Sequence, residues 1–502
     1  MPSDPFPSPE SHRVHHIAQL DHAHVWHPFT QMRDWLQQEP IVLTHGSGSV
    51  LRDSGGRRYL DANSSIWTNL HGHAHPVLNA AVRRQLSKVS HVSALGFANE
   101  PASMLSAKLV DLAESGLSQS LYPPKPKTRP AFRNPSLRRV FFSDNGSTAI
   151  EVALKMAYEV TRRKRGPKPP PRFLALQGAY HGDTIGAVSL GHIDRFHRAY
   201  QGLLFRSDPV MSPYCYRCPF NRAKPERADA RSYRKCHWEC TDRVEKKVAA
   251  AARRGNPYAA FAFEPLIQGA AGMIAHPEGW LRRVAEIVRA HGTLLIADEV
   301  MTGFGRTGWR QHGLGVFASH REGVQPDFLC VAKGLTGGYL PMAATLTTDP
   351  VFDAFLGDYA DFKTFFHGHS YTANPLAAAV SLASLKLLES EAVSIRRRSL
   401  ESQMAQQLAE LWSLPGVGDI RQVGLVAGIE LVRHWQQRTP FDLAERVGIR
   451  VCDAMAKRGV LTRPIGSVIV LMPPYSTTSK QLSQMIKTLH DSIAEVWPSL
   501  RT

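Results

Sequence analysis

The stretch LLIADEVMTGFGRTG (residues 294–308) begins with a short apolar run and then places two carboxylates, Asp298 and Glu299, where that run ends. A glycine-rich loop that contains Arg306 follows directly. In open α/β sheets, functional side chains gather at the carboxyl ends of parallel strands. A carboxylate delivered by an apolar strand must be paired with a donor or a cation, because burying it alone is costly. The stretch therefore predicts a parallel sheet with a functional carboxylate at one strand end.

The sequence on either side predicts an α/β architecture. Short apolar runs alternate with longer helical patterns from about residue 76 to 375, which is typical of βαβ units on a mostly parallel sheet. Past residue 376 a long helical stretch precedes short strands, which indicates a smaller α+β domain. We therefore expect a large domain over 76–375 and a small domain built from 21–75 and 376–502. The predicted elements are strands within 138–143, 261–266, 327–332, 423–432 and 468–475, and a helix over 147–160.

The composition is that of an ordinary globular protein, with 43% hydrophobic and 21% charged residues in a chain of 502. No apolar run reaches the ~18 residues that a membrane helix needs, and residues 1–16 contain no apolar leader. We expect a cytoplasmic protein without a membrane anchor. The His-rich residues 1–20 are interspersed with Pro and Ser, which predicts a mobile N-terminal arm.

The formal net charge of +17 is high enough to mark a nucleic-acid surface. Much of it lies in two Pro-rich basic stretches, 121–139 and 161–172, which interrupt periodic sequence and are interpreted as surface insertions. No stacking aromatics alternate with the basic residues, so solvated loops are favoured over a nucleic-acid site. We expect no nucleic-acid partner.

A third insertion, residues 211–240, carries four cysteines spaced as Cys215-x2-Cys218 and Cys236-x3-Cys240. The first pair and the gap to the second resemble zinc-ribbon spacing, although the second pair has one residue too many. The alternative is a loop of reduced thiols in a cytosolic enzyme. The reduced loop is favoured, so we assign no metal here and leave zinc as an open alternative.

Two further stretches place chemical groups where a predicted strand ends. Gly146, Ser147 and Thr148 precede a helix, where free backbone N–H groups and hydroxyls form a phosphate cradle, although Ser or Thr there is more often only a cap. Lys333 ends an apolar run and precedes a glycine-rich turn, which indicates a partly desolvated, nucleophilic amine. With Asp298, these groups fit a ligand that has a phosphate, a protonatable ring nitrogen and an aldehyde. Pyridoxal 5′-phosphate (PLP) is such a ligand.

Longer motifs carry a resemblance to a known family. In order along about residues 24–490, they resemble the class III aminotransferases of the fold-type I PLP-dependent transferases. The resemblance implies an α/β fold with a large domain around a mostly parallel sheet and a smaller α+β domain. The motifs are DNGSTAIEVALKMA (144–157), AYHGDTIGAVS (179–189), FEPLIQGAAGM (263–273), LLIADEVMTGFGRTG (294–308), PDFLCVAKGLTGGYLP (326–341) and HGHSYTANPLA (367–377).

Within the class, WHPFTQM (26–32), DANSSIWTNLHGHAHP (61–76) and LTRPIGSVIVLMPPY (461–475) are similar to members that convert 8-amino-7-oxononanoate to 7,8-diaminononanoate in biotin biosynthesis. The resemblance implies PLP-dependent amino transfer to that acceptor in a homodimer with shared active sites. The amino donor that the resemblance implies is S-adenosylmethionine or lysine. One alternative is another class III ω-aminotransferase acting on a diamine or ω-amino acid. A nucleic-acid-binding protein on an enzyme scaffold is a less favoured one.

The resemblance also implies roles for individual cofactor contacts. Lys333 corresponds to the lysine that binds PLP and moves a proton, and Asp298 to the partner of the ring nitrogen. Tyr180 corresponds to the aromatic residue that stacks on the ring and borders the substrate pocket. Gly146 and Ser147 correspond to the phosphate contacts, and Glu264 and Gln268 to residues that support the cofactor contacts from behind. Gly368, His369 and Ser370 correspond to a segment that reaches the phosphate from the partner subunit.

For the substrates, Arg463 corresponds to the arginine that receives a carboxylate, a task suited to its planar fork. Arg306 either faces the substrate or braces its loop. Members that use S-adenosylmethionine commonly have two tryptophans where this chain has Ile66 and Trp67, and a tyrosine where it has Phe29. A missing indole weakens cation–π attraction to a sulfonium. Because Trp67, Tyr180 and Tyr475 can still form an aromatic pocket, S-adenosylmethionine is kept ahead of lysine.

Overall fold

The computed structural model describes residues 9–118, 134–308 and 315–500. Its strands are β1 (Leu43–Ser47), β2 (Val50–Asp53), β3 (Arg58–Asp61), β4 (Leu137–Ser143), β5 (Phe173–Leu176), β6 (Asp208–Val210), β7 (Ala260–Phe263), β8 (Ile267–Gln268), β9 (Ile274–Ala275), β10 (Leu294–Asp298), β11 (Phe328–Val331), β12 (Ala343–Thr348), β13 (Val417–Val423), β14 (Val426–Leu431), β15 (Val460–Leu461), β16 (Pro464–Ile465) and β17 (Val468–Leu471).

The helices are α1 (Pro9–His24), α2 (Met32–Trp35), α3 (Ser64–Trp67), α4 (Pro76–Leu86), α5 (Glu100–Ser118), α6 (Gly146–Arg165), α7 (Ile185–Leu190), α8 (Asp194–His197), α9 (Ala230–Tyr233), α10 (Glu239–Arg253), α11 (Trp280–Ala290), α12 (Asp349–Asp353), α13 (Pro375–Leu388), α14 (Glu391–Leu408), α15 (Val447–Lys457) and α16 (Ser479–Val496). Short 3₁₀ turns lie at Arg198–Leu203, Cys215–Arg217, Ser319–Glu322, Lys333–Thr336, Tyr359–Asp361, Ala409–Ser413, Leu443–Glu445 and Trp497–Leu500.

A seven-stranded sheet in the order β4-β12-β11-β10-β7-β5-β6 forms the centre of the large domain. Strand β12 runs antiparallel to both of its neighbours, and the other pairs are parallel. The expected α/β fold with a mostly parallel sheet is confirmed. Strand β10 lies between β7 and β11, so Asp298 sits opposite Cys330, shortly before Lys333. The two groups predicted from separate stretches therefore lie on adjacent strand ends.

Helix α6 covers one face of this sheet with the residues that the sequence pattern predicts. Ile150, Leu154 and Ala157 are buried in one apolar cluster with the sheet residues Ile296 and Phe328. Burying an isoleucine or leucine side chain stabilises a fold by roughly 1.5–3 kcal/mol, so these contacts hold the helix on the sheet. The start of α6 thereby points at the carboxyl ends of the strands.

The helix also extends further than predicted. Residues 161–165, assigned from sequence to a surface insertion, complete α6, because Glu159 binds Arg162 and Arg163 one turn later at 2.6–2.7 Å. The insertion is therefore confined to the loop before β5. Of the other basic insertion, residues 121–133 lie outside the described residues and 137–139 belong to β4.

The small domain combines both ends of the chain. Strands β13-β14-β17-β16 form an antiparallel sheet, and β15 pairs in parallel with β3 in the sheet β1-β2-β3-β15. Residues 9–24 form helix α1 where the sequence predicted a mobile arm to residue 20, since this segment has no glycine and its proline occupies the first helical position. Residues 1–8 lie outside the described residues.

The cysteine-bearing segment 211–240 docks on the small domain. Tyr214 and Arg217 both bind the carboxylate of Glu430 on β14, and Arg231 donates to the carbonyl of Gln422 at 2.8 Å. The four cysteines are free. Among the residues that the structure describes, no group of three or more His, Cys, Asp and Glu side chains is arranged to hold a metal ion. None of the helices in the described ranges is long and apolar enough to cross a membrane.

Candidate active site

A cavity of about 420 Å³ opens at the carboxyl ends of the central strands. Its lining brings together residues from stretches far apart in sequence, as expected where parallel strands end. Among them are Trp67, Gly146, Ser147, Tyr180, His181, Glu264, Asp298 and Lys333.

The first turn of α6 forms one wall of this cavity. The side chain of Asn145 caps the helix by accepting from the N–H of Thr148 at 3.0 Å, and the Thr148 hydroxyl donates to Asp144 at 2.8 Å. The N-terminal N–H groups of a helix have no partner within the helix and favour a phosphate. Gly146 and Ser147 line the cavity at this position. Thr148, predicted as part of the cradle, instead belongs to the cap.

Asp298 is held by a histidine that the sequence analysis did not single out. Its Oδ2 lies 2.7 Å from His181 Nδ1, and its Oδ1 accepts from the N–H of Val300 at 3.1 Å. A carboxylate only accepts, so Nδ1 carries the proton of this bond. Burial lowers the pKa of an imidazole, but the bond and the charge of Asp298, with Glu264 nearby, raise the pKa of His181 above its ordinary value. His181 directly follows Tyr180 in AYHGD. Its position next to a predicted cofactor contact was the one feature of the sequence that could have marked it as a site residue.

Lys333 follows β11 with a φ of +44°, in the left-handed region that a side chain rarely adopts. Its Nζ lies 4.6 Å from the centroid of the Trp67 ring. Burial lowers the pKa of the Lys333 ammonium, although the carboxylates of Asp298 and Glu264 act in the opposite direction. The amine is therefore easier to deprotonate than an exposed lysine, which is what a nucleophile requires.

Glu264 lies inside the lining, closer to the reactive groups than its predicted supporting role implies. Its carboxylate accepts from the N–H of Gly269 at 2.7 Å and of Tyr180 at 3.2 Å. Burial raises the pKa of Glu264 to about 7. The adjacent Gln268 is also buried, and its amide donates to the carbonyl of Gln177 at 3.2 Å, outside the cavity.

Tyr180 presents its ring to the cavity from the loop after β5. Its hydroxyl donates to Asp183 at 2.6 Å, and its ring stacks on His197 with a centroid distance of 6.2 Å. Burial and the Asp183 carboxylate raise the pKa of the Tyr180 phenol above its ordinary value. The adjacent Gly182 has a φ of +118°, and a Cβ there would overlap the Ser147 hydroxyl. This glycine lets the Tyr180 loop approach the start of α6.

Arg306 and Tyr475 are buried side by side and do not line the cavity. The guanidinium of Arg306 donates to the carbonyls of Pro473 and Asn69, each at 2.8 Å. It lies 5.0 Å from the centroid of the Tyr475 ring, whose hydroxyl donates to the Phe304 carbonyl at 2.8 Å. Of the two roles left open for Arg306, this geometry supports the bracing one.

Other predicted contacts lie on the surface of the single chain. Phe29 is exposed and packs edge-on against the ring of Phe196 at 5.4 Å. Ile66 is half-exposed on α3, and Arg463 is exposed between β15 and β16. The segment 368–370 precedes α13, also away from the cavity lining. The roles given to these residues stay predictions.

The fold and the site together are those of a PLP-dependent transaminase. The chain matches the family model for class III aminotransferases over residues 32–493, and it belongs to that family.

Among its relatives are two proteins named adenosylmethionine-8-amino-7-oxononanoate aminotransferase. That of Nitratidesulfovibrio vulgaris is 46% identical, covering 96% of this chain and 82% of the relative. The relative from Geobacter sulfurreducens is 43% identical, and the match covers 96% of this chain and 98% of the relative. A crystal structure under the same name from Methanocaldococcus jannaschii has a TM-score of 0.83 at 34% identity, covering 96% of this chain and 99% of that one. A PLP-bound amine transaminase from an uncultivated Pseudomonas species has a TM-score of 0.81 at 31% identity, covering 94% and 98%.

Class III aminotransferases use PLP, and the residues of this cavity fit it. The start of α6 at Gly146 and Ser147 suits the phosphate, the Asp298 carboxylate suits a protonated ring nitrogen, and Lys333 offers the amine. The Tyr180 ring provides an aromatic wall. When bound, PLP supplies an electron-withdrawing ring that stabilises negative charge on a substrate carbon.

Proposed function

We propose that this enzyme transfers an amino group to 8-amino-7-oxononanoate, giving 7,8-diaminononanoate for biotin biosynthesis in the cytoplasm. The observation that carries the proposal is near-full-length identity of 46% and 43% to two relatives named for this acceptor. S-adenosylmethionine is the proposed donor ahead of lysine, because Trp67 and Tyr180 offer aromatic faces for a sulfonium.

Within this function, we assign tasks to two cavity residues and to three residues outside the cavity lining. Lys333 Nζ takes a proton from the carbon that bears the donor amine and delivers one to C7 of the acceptor, for which its lowered pKa suits it. Asp298, fixed by His181, holds the proton on the cofactor's ring nitrogen. Arg463 is proposed to receive the acceptor carboxylate, and Phe29 and Ile66 to border the donor.

A homodimer completes the proposal. Near the segment 368–370, large aromatic side chains are exposed in the single chain, with Tyr359 at 96%, Phe362 at 71% and Phe366 at 72%. Apolar exposure of this extent marks an interaction surface. It supports a second copy of the chain covering these rings, with Gly368, His369 and Ser370 reaching the partner's phosphate site.

The test is a comparison of substrates on the purified holoenzyme. We expect turnover with 8-amino-7-oxononanoate to exceed that with simple ketones and ω-oxo acids by at least ~10²-fold in kcat/KM, since its carboxylate and amine each add a binding contact. The two donors are compared by mixing the holoenzyme with S-adenosylmethionine or with lysine, without acceptor, and measuring the rate of the change in cofactor absorbance. A preference for simple ketones or ω-oxo acids over 8-amino-7-oxononanoate would contradict the proposed acceptor.

A further inference from the structure

Helix α3 is a left-handed turn. Its four residues, Ser64, Ser65, Ile66 and Trp67, have φ angles of 47°, 47°, 63° and 69°. Residues other than glycine rarely adopt this region even singly. The turn carries Trp67, which lines the cavity beside Lys333. Strained backbone of this kind persists only where its surroundings determine it. The groups that hold the turn therefore determine where Trp67 stands.

Asp61, at the end of β3, accepts two hydrogen bonds from Ser65 in this turn and one from Asn63 just before it. Its Oδ1 accepts from the N–H groups of Asn63 and Ser65 at 3.2 and 3.1 Å. Its Oδ2 accepts from the hydroxyl of Ser65 at 3.0 Å. The carboxylate is buried and Ser65 is exposed, so the bond to Asn63 is fully buried and the two bonds to Ser65 are partly buried. Asp61 thus satisfies the N–H groups of Asn63 and Ser65, on either side of the first residue of the left-handed turn.

His73 fixes the orientation of Asp61. Its Nε2 lies 2.9 Å from Asp61 Oδ2, and its Nδ1 lies 3.1 Å from the amide nitrogen of Asn69. The carboxylate only accepts and the amide nitrogen only donates, so an imidazole with its proton on Nε2 satisfies both partners. The amide orientation is set in turn, because Asn69 Oδ1 accepts from the N–H of Gly72 at 2.8 Å. His73 itself is outside the cavity lining.

We propose that His73 is a positioning residue that sets substrate selectivity. Acting through Asp61, it holds the left-handed turn so that Trp67 forms a fixed wall of the cavity. The choice of acceptors as test substrates rests on the proposed function. The position of the turn does not depend on the proposed function, and it can be measured without any substrate.

The experiment compares His73→Phe, which keeps a ring but has no donor, with His73→Gln, whose amide still donates to Asp61. In the cofactor-free chain, we expect His73→Phe to speed hydrogen exchange at least tenfold at the amides of Trp67, Thr68 and Asn69. These amides bond back to residues 63–64 at 2.9–3.0 Å. His73→Gln should exchange like the wild type. Ser65→Ala removes the hydroxyl contact to Asp61 and should also speed hydrogen exchange at these amides. It provides the same test if His73→Phe does not fold.

In the holoenzyme, we compare kcat/KM for 8-amino-7-oxononanoate with kcat/KM for a shorter ω-oxo acid. The ratio of the two should differ from the wild-type ratio at least fivefold in His73→Phe and should equal the wild-type ratio in His73→Gln. The control is His490→Phe, since His490 also lies beside a carboxylate, Asp491 at 3.3 Å, but on α16 away from the cavity. A purely structural role for His73 would lower stability and leave this ratio unchanged. Unchanged exchange and an unchanged ratio in His73→Phe would overturn the inference. Failure to use 8-amino-7-oxononanoate would contradict the proposed function alone, because the exchange result stands without it.

Discussion

Asp298 is buried, yet it is bonded on both oxygens, to His181 and to the N–H of Val300. An asparagine in its place cannot hold a proton on the cofactor's ring nitrogen. We predict that Asp298→Asn retains PLP through desalting but lowers turnover by at least ~10²-fold. Cofactor absorbance and steady-state kinetics measure the two effects, with Asp491→Asn on α16, outside the cavity lining, as control. Turnover within twofold of the wild type would contradict the role of Asp298.

Glu264 gives the stability of the cofactor-free chain a pH dependence. Burial raises its pKa from 4.5 to about 7, so its contribution to stability is full below about pH 4.5 and is lost as the pH rises to about 7. At about 1.4 kcal/mol per pKa unit, the contribution is up to roughly 3 kcal/mol. We predict that Glu264→Gln removes this decrease from the free energy of unfolding, measured in urea between pH 4.5 and 7.5. An unchanged pH slope would contradict the raised pKa.

Helix α6 begins with a reciprocal cap, in which Asn145 accepts from the N–H of Thr148 and Thr148 Oγ1 accepts from the N–H of Asn145. Removing the side chain of a cap of this type costs ~1 kcal/mol. We predict that Asn145→Ala lowers the free energy of unfolding of the cofactor-free chain by ~1 kcal/mol in a urea titration. Ser390→Ala removes the corresponding cap of α14, outside the site, and should cost a similar amount. No loss in Asn145→Ala would show that the cap does not hold the helix start.

Elements with a strong local pattern could be predicted from the sequence. Strands β10 and β11 and helix α6 follow from apolar runs and a helical period within 15–20 residues. Strand β7 ends earlier than predicted, at Phe263, because the polypeptide turns so that Glu264 can accept from Gly269. The left-handed turn α3 could not be predicted, since nothing within SSIW favours positive φ. Its conformation depends on Asp61 and His73.

The site residues that directly follow an apolar strand in the sequence could be predicted. Lys333, Asp298, Gly146 and Ser147 lie in one cavity, as the sequence and its resemblance implied. Arg306 was ambiguous because its partners, the carbonyls of Asn69 and Pro473, belong to distant stretches. Pairings of this kind depend on tertiary structure and have no signal in local spacing.

The assembly yields a further prediction. The exposed rings of Tyr359, Phe362 and Phe366 support a dimer. We predict that the wild type has twice the mass of one chain in light scattering. Phe366→Asp should raise the dimer dissociation constant at least tenfold, because it places a charge in an apolar interface. Leu443→Asp, at a leucine exposed elsewhere, is the control. A monomeric wild type with full activity would contradict shared active sites.

Transfer of labelled nitrogen tests the proposed reaction most directly. The holoenzyme is supplied with 8-amino-7-oxononanoate and either S-adenosylmethionine or lysine carrying ¹⁵N on its amines, and the diamine is analysed by mass spectrometry. We predict one ¹⁵N in 7,8-diaminononanoate from the preferred donor, and at least ~10²-fold less product from Lys333→Ala, which lacks the amine that moves the proton. No labelled diamine from either donor, or equal product from Lys333→Ala, would contradict amino transfer at this site.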